Sequence, residues 1–212
     1  MSHSHLSRRE YAQQFNAIID QALLEPSADH QQHLIQLVAD INVTQLGERL
    51  RQRATRLGKT RRSERARLLS VRDELMQAVY AAAVPVGWSC AWVDGSSIKT
   101  DTQRHAGIGG VLMDANGKVI ERMSQAIGEQ GAFDAEVAAL VAMLQLAIDH
   151  QQSQLWVYCD NQGLVNLWHE QRDDHRLDKI RTQVKPLQQF ALRYIPSAHN
   201  QIAHVLAQKA IV

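Results

Sequence analysis

Cysteine is nearly absent from this chain. Cys90 and Cys159 are the only two in 212 residues, which excludes a disulfide-knit scaffold and a thiolate-rich zinc site and fits a reducing compartment. Strand parity puts the two thiols on opposite faces of a sheet, so they are expected to stay unpaired. Neither has the partners of a thiol nucleophile beside it. Long apolar runs are missing too: nothing approaches the ~20 residues that cross a bilayer, and residues 1–6 lack a signal-peptide core, so a cytoplasmic chain is expected. There is no large charge imbalance, since the formal net charge is +1. The ten histidines include Ser2-His3-Ser4-His5, too short for a metal tract, and no repeat is visible. Prolines are four and act as punctuation: Pro26 ends an apolar stripe, Pro85 lies in the best domain boundary at 81–87, and Pro186 argues for a break in a helical pattern. The length allows two domains, 1–84 and 87–212.

What is present begins with an acid after a short strand. Residues 89–94 alternate in the strand manner, so Cys90, Trp92 and Asp94 share one face. Gly95 would let the chain turn beside the carboxylate, which puts Asp94 at a strand's edge, open to solvent. Two strand-like runs, 107–114 and 118–127, flank Asp114-Ala115-Asn116-Gly117, a strong hairpin signal. Residues 133–148 then switch to helical period through Val137, Leu140, Val141, Leu144 and Ile148, with Glu136 in the first turn. Residues 155–160 form a strand carrying Trp156, Tyr158 and Asp160 on one face. Helices are expected over 161–170, over 177–190 with a break or kink at Pro186, and over 200–211, with a fifth strand at 191–195. Three acids, Asp94, Glu136 and Asp160, thus fall at element ends, where side chains can converge. Each has an ordinary local role as turn starter, first-turn acid or helix cap. Their joint order favours a divalent-metal site, because hard cations prefer carboxylate oxygens.

With these motifs on those elements, residues 87–212 resemble the type 1 ribonuclease H family. Asp94-Gly95-Ser96 resembles its first motif, Ala135-Glu136 with Val137-Ala138-Ala139-Leu140 its helical glutamate motif, and Asp160-Asn161-Gln162 its third. Asn200-Gln201-Ile202-Ala203-His204-Val205-Leu206-Ala207 is similar to the closing motif, in which Asp or, in some branches, His stands at the position of His204. The resemblance implies an α/β fold, a mixed five-stranded ribonuclease H-like sheet with flanking helices. It further implies hydrolysis of the RNA strand of an RNA/DNA hybrid with magnesium or manganese, two ions. Asp94 would bridge the ions, Glu136 and Asp160 would hold one each, and His204 would complete the site. Imidazole is a poorer magnesium ligand than carboxylate, and a pKa near neutrality equally suits His204 to ordering water or moving protons.

The chain also departs from that family. Many members carry RNA-contacting asparagines just before the helical glutamate, where Gly131, Ala132, Phe133 and Asp134 stand here. Recognition of the 2′-hydroxyl then falls to backbone near Ser96, Ser97 and Gly131 and to the Asn161 and Gln162 side chains. A flexible histidine loop is absent between Tyr194 and Asn200, with His199 as the nearest substitute, and no basic handle follows Asp160.

Positive charge is concentrated elsewhere. Residues 48–72 hold nine arginines and Lys59 against Glu48 and Glu64, a local excess of eight. Cations here, Arg61, Arg62 and Arg65 among them, are expected to neutralise phosphates of nucleic-acid duplexes through counterion release. No aromatics interleave them, so base stacking is not the means. The surrounding domain reads as all-helical, with apolar stripes at Leu6, Tyr11, Phe15, Ile18, Ile19 and Leu23, then Leu34, Ile35, Val38 and Ile41, then Leu46, Leu50 and Leu57. A last stripe runs through Leu68, Leu69, Val71, Leu75, Met76 and Val79. Gly47 and Gly58 interrupt the pattern, and 58–63 is expected to be a loop. This domain resembles no known family.

Overall fold

The computed structural model describes residues 8–39, 43–56, 62–100 and 103–211. The chain separates into two compact units, Met1–Ala83 and Val84–Val212.

The first unit is built from α1 (Arg8–Leu24), α2 (Ala28–Ala39), α3 (Val43–Thr55) and α4 (Arg62–Ala82). Their apolar stripes meet in one core in which Phe15, Ile19, Leu34, Leu46, Leu50, Leu75 and Met76 are almost fully buried. At about 1.5–3 kcal/mol for each large side chain, that core is what holds four short helices together. Gly47 does not interrupt α3: it lies buried within the helix, where the core face tolerates a missing side chain. Arg62 and Ser63 belong to α4 rather than to a loop. Leu6, Ile41, Leu57 and the rest of the expected loop, 58–61, lie outside the described residues.

The second unit runs β1 (Ser89–Lys99), β2 (Arg104–Met113), β3 (Val119–Gly128), α5 (Ala132–Asp149), β4 (Gln154–Cys159), α6 (Gln162–His169), α7 (Arg176–Gln183), β5 (Gln189–Tyr194), a 3-10 turn (Ser197–His199) and α8 (Gln201–Lys209). Its sheet has the order β3-β2-β1-β4-β5. The first two pairings are antiparallel and the last two parallel. The expected hairpin closes through Asp114, whose Oδ1 accepts the backbone N–H groups of Asn116 and Lys118, both at 2.9 Å. Ala91, Val93, Leu155, Val157 and Cys159 line one face and pack on Leu140, Met143 and Leu144 of α5. Trp92 and Tyr158 lie on the other, their rings 5.3 Å apart, and α8 packs across β1 to β3. Both cysteines are buried and unpaired.

Two expectations change. Helix does not extend to residue 190: α7 ends at Gln183, and Phe190 sits in β5 opposite Leu155. Pro186, which lacks an N–H and would clash with the preceding turn, ends the helix rather than bending it. Secondly, β1 does not turn at Gly95 but continues to Lys99, paired with β2 throughout. Among the described residues, no helix is long and apolar enough to cross a membrane.

Candidate active site

Asp94 lies within the central strand. It is not open to solvent at a strand's edge, as expected, but 4% exposed, because β1 carries on past it and is flanked on both sides. The register pairs Val93 with Cys159, so the next residue of each strand brings Asp160 alongside Asp94 on the same face. Glu136 comes from α5, and Gly95 is what admits it. A Cβ at that position would stand 2.2 Å from the carbonyl carbon of Ala135 and 2.3 Å from the nitrogen of Glu136. The strand backbone and the first turn of α5 therefore touch directly. Glu136 Oε2 accepts the N–H of Gly95 at 3.2 Å, and the Glu136 carboxyl bonds the Asn161 side chain. Asn161 also caps α6, its Oδ1 accepting the N–H of Leu164 at 3.0 Å.

One oxygen from each of Asp94, Glu136 and Asp160 lies within 4.8 Å of the others. Burial, then the charges of Asp94 and Asp160, push Glu136 up to about 8. Burial and the charge of Asp160 raise Asp94 to about 6, against the lowering effect of His204. The His204 ring supports Asp94 from α8, with Nδ1 3.1 Å from Oδ2. Close packing of α8 on β2 sets that distance: a Cβ on Gly109, which pairs with Asp94, would meet the Ala207 nitrogen at 2.2 Å. Three carboxylates at this spacing, two of them short of solvent, fit a hard divalent cation, which would supply the positive charge that the protein side chains do not.

Residues 93–210 match the family described as Reverse transcriptase-like, more than half of the chain and all of the site. The chain belongs to that family. Its fold is ribonuclease H-like. The solved structure of RNase H1 from the halophilic archaeon Halobacterium salinarum NRC-1 aligns with a TM-score of 0.53 at 23% identity, over 58% of this chain and 97% of that one. LC11-RNase H1 in complex with an RNA/DNA hybrid aligns at 0.51 and 22%, over 58% and 96%; LC11-RNase H1 was isolated from compost by a metagenomic approach. The foamy viral protease-reverse transcriptase in complex with dsDNA aligns at 0.53 and 16%, over 60% and 97%. No curated protein matches the chain.

The other expected residues divide. Ser97 is committed to the protein, its hydroxyl donating to the Gln130 carbonyl at 2.8 Å. Ser96 is half-buried next to it, and Gln162 is exposed, bonded to Asn166 at 2.8 Å. His199 is buried in the 3-10 turn. Arg62 and Arg65 lie on α4 of the first unit, and Arg61 lies outside the described residues. Phe133 is covered by the Arg176 guanidinium, 4.3 Å from the ring centre, while Asp174 grips the same guanidinium through both its oxygens.

Asn200 joins the site without any role that its place in the sequence would suggest. It is 1% exposed, and its Nδ2 donates to Val93 O at 2.8 Å and to Asp160 Oδ1 at 2.9 Å. It ties the third acid to the strand that carries the first. An asparagine just before a helix reads as an N-cap, but this side chain makes no cap bond and turns inward instead.

Proposed function

We propose that the chain is a divalent-metal-dependent endoribonuclease that hydrolyses the RNA strand of RNA/DNA hybrids, with residues 87–212 as its catalytic domain and 1–84 as a helical accessory domain. The observation that carries this reading is the convergence of Asp94, Glu136 and Asp160 within 4.8 Å. Asp94, Glu136 and Asp160 would hold magnesium or manganese between them, and His204 would complete the site beside Asp94. When bound, such ions activate water and stabilise the leaving oxygen of an in-line displacement at phosphorus. The chain's own groups supply the positioning. Asn200 fixes Asp160, the Gly95 N–H and Asn161 fix Glu136, and His204 is close enough to Asp94 to pass a proton at its rim. Backbone near Ser96, Ser97 and Gly131, with Asn161 and Gln162, faces the ribose hydroxyls. The products are a 3′-hydroxyl and a 5′-phosphate. The complex of LC11-RNase H1 with an RNA/DNA hybrid supports the substrate class.

The test is cleavage of a labelled RNA/DNA hybrid beside double-stranded RNA and double-stranded DNA, in magnesium and in manganese, for wild type and Asp160→Asn. Hybrid-specific cutting lost in the variant is the expected result. Folded wild-type protein that cuts nothing in either metal refutes catalysis and leaves a binding module.

A second reading, cleavage of another duplex, is favoured by Phe133. Its ring, capped by Arg176, occupies a position where a polar side chain would read the ribose. Phe133→Asn then raises the preference for hybrid over double-stranded RNA; an unchanged preference goes against Phe133 as the determinant.

A further inference from the structure

The cations of residues 48–72 are alike in charge but not in surroundings. Arg72 is 7% exposed and paired with Asp73, so it is unavailable. Arg51 is bound to Glu48 at 2.7 and 2.9 Å. Arg49, Arg53 and Arg56 are different. Spaced i, i+4 and i+7, Arg49 and Arg53 share one side of α3 and Arg56 follows directly at its C-terminal end, and the three line an open cleft of about 650 Å³ together with Asn16 of α1.

Two of the three are already oriented. The Arg49 guanidinium stacks on Phe15, 4.9 Å from the ring centre, and Arg53 Nε lies 3.3 Å from Asp20 on α1. A guanidinium has five N–H donors, so one ion pair leaves Arg53 others to offer. Ordering these side chains before binding lowers the entropy lost when a ligand arrives. The cleft's acid, Glu48, is taken up by Arg51 and Gln52. Among the described residues no aromatic side chain lines the cleft, which disfavours stacked bases and leaves a phosphate backbone as the fitting ligand. The dimensions agree. Seven residues of helix advance about 10 Å, over which one strand of a duplex presents about three phosphates at ~3.4 Å each along the axis.

We infer that the cleft between α1 and α3 docks the sugar–phosphate backbone of a nucleic-acid duplex, with one phosphate to each of Arg49, Arg53 and Arg56. This rests on the proposed action of the chain on nucleic acid, but it is measured without turnover.

The experiment is fluorescence anisotropy of a labelled RNA/DNA hybrid with the full chain in EDTA, titrated between about 50 and 200 mM salt. The variants are Arg56→Gln, the triple Arg49→Gln/Arg53→Gln/Arg56→Gln, the corresponding triple Arg→Lys, and Arg51→Gln. Each phosphate that the protein ceases to neutralise flattens the slope of log K against log salt by about 0.9. Arg56→Gln is therefore expected to flatten it by about 0.9 and the glutamine triple by about 2.7, with affinity at 100 mM falling at least a hundredfold. The lysine triple keeps most of the slope, and Arg51→Gln changes it little. An unchanged slope in Arg56→Gln, whose side chain is exposed, overturns the proposal, as does an equal effect of Arg51→Gln. If the glutamine triple melts early, Arg56→Gln and the lysine triple still decide. Failure here leaves the cleavage test untouched, and failure of cleavage leaves the salt slope standing.

Discussion

Gly95→Ala adds one methyl group at the point where the site is assembled. The new Cβ would stand 2.2, 2.3 and 2.5 Å from three backbone atoms of Ala135 and Glu136, where ordinary contact begins at 3.4 Å. No side-chain rotation can relieve a clash with backbone, so the first turn of α5 must move by about 1 Å. The poorer fit costs about 1–3 kcal/mol of stability, as overpacking usually does, and lowers the melting temperature by roughly 2–12 °C. Glu136 moves with the helix and loses its bond to the Gly95 N–H. A misplacement of about 1 Å in a positioned group lowers turnover by about a hundredfold. The assays are a thermal melt followed by circular dichroism and single-turnover cleavage of an RNA/DNA hybrid at saturating magnesium. Weakened cleavage at a temperature where the variant is fully folded is the expected outcome. A variant that melts and cleaves like wild type would show that α5 does not rest on β1 at Gly95 and that something else places Glu136.

The remaining predictions concern the acids and their supports. In the metal-free folded chain Asp94 titrates at about 6 and Glu136 at about 8, above the ~4 of an unfolded carboxylate. The folded state thus holds protons that the unfolded state has released, and stability in EDTA falls as pH rises from about 4 through 8. Magnesium should therefore raise the melting temperature more at pH 8.5 than at pH 5.5, and an equal or reversed increment refutes crowding of the acids as the cause. Asn200→Ala leaves the buried Val93 carbonyl without its donor, costing about 1–3 kcal/mol in a urea melt, and weakens magnesium binding by freeing Asp160. Unchanged metal affinity would reduce Asn200 to a structural role. His204→Ala lowers cleavage by about 10- to 100-fold, as removal of a supporting partner does, whereas His204→Asp retains most of it; equal loss in both would mean that a carboxylate cannot take the place of the ring.

Much of the fold was legible because its signals are local. Alternation over 89–94, Asp114 in its turn and the helical period after Phe133 each depend on residues within a few positions. Failures came where distant partners decide. Asp94-Gly95-Ser96-Ser97 has the composition of a turn, yet ten pairings with β2 hold the segment from Cys90 to Lys99 extended. Residues 184–190 carry apolar side chains compatible with a helix, but Phe190 and Leu192 are drawn into a strand by Leu155 and Val157. The arginine run was visible as charge alone. Which cations face a shared cleft follows from Phe15 and Asp20 on α1, more than thirty residues away in sequence.

Breaches of local preference gather at the acidic centre. A carboxylate in the middle of a central strand and a glycine where a β-former would stabilise the strand are locally unfavourable choices, and an asparagine suited to capping a helix forgoes the cap. Each adds cost to the metal-free fold: Asp94 and Glu136 are desolvated beside a third acid, and Asn200 keeps a buried Oδ1 with no partner among the described residues. Natural sequences accept such conflicts mainly where function demands them. A structural cluster would pair its acids with arginine or lysine, and the same unit has arginines to offer, yet Arg172, Arg176 and Arg181 pair with Glu170, Asp174 and Asp178 instead. The contact that Asp94 does receive is a half-exposed imidazole. An acidic centre left short of protein cations is therefore better explained as a seat for a metal ion than as a device for stability.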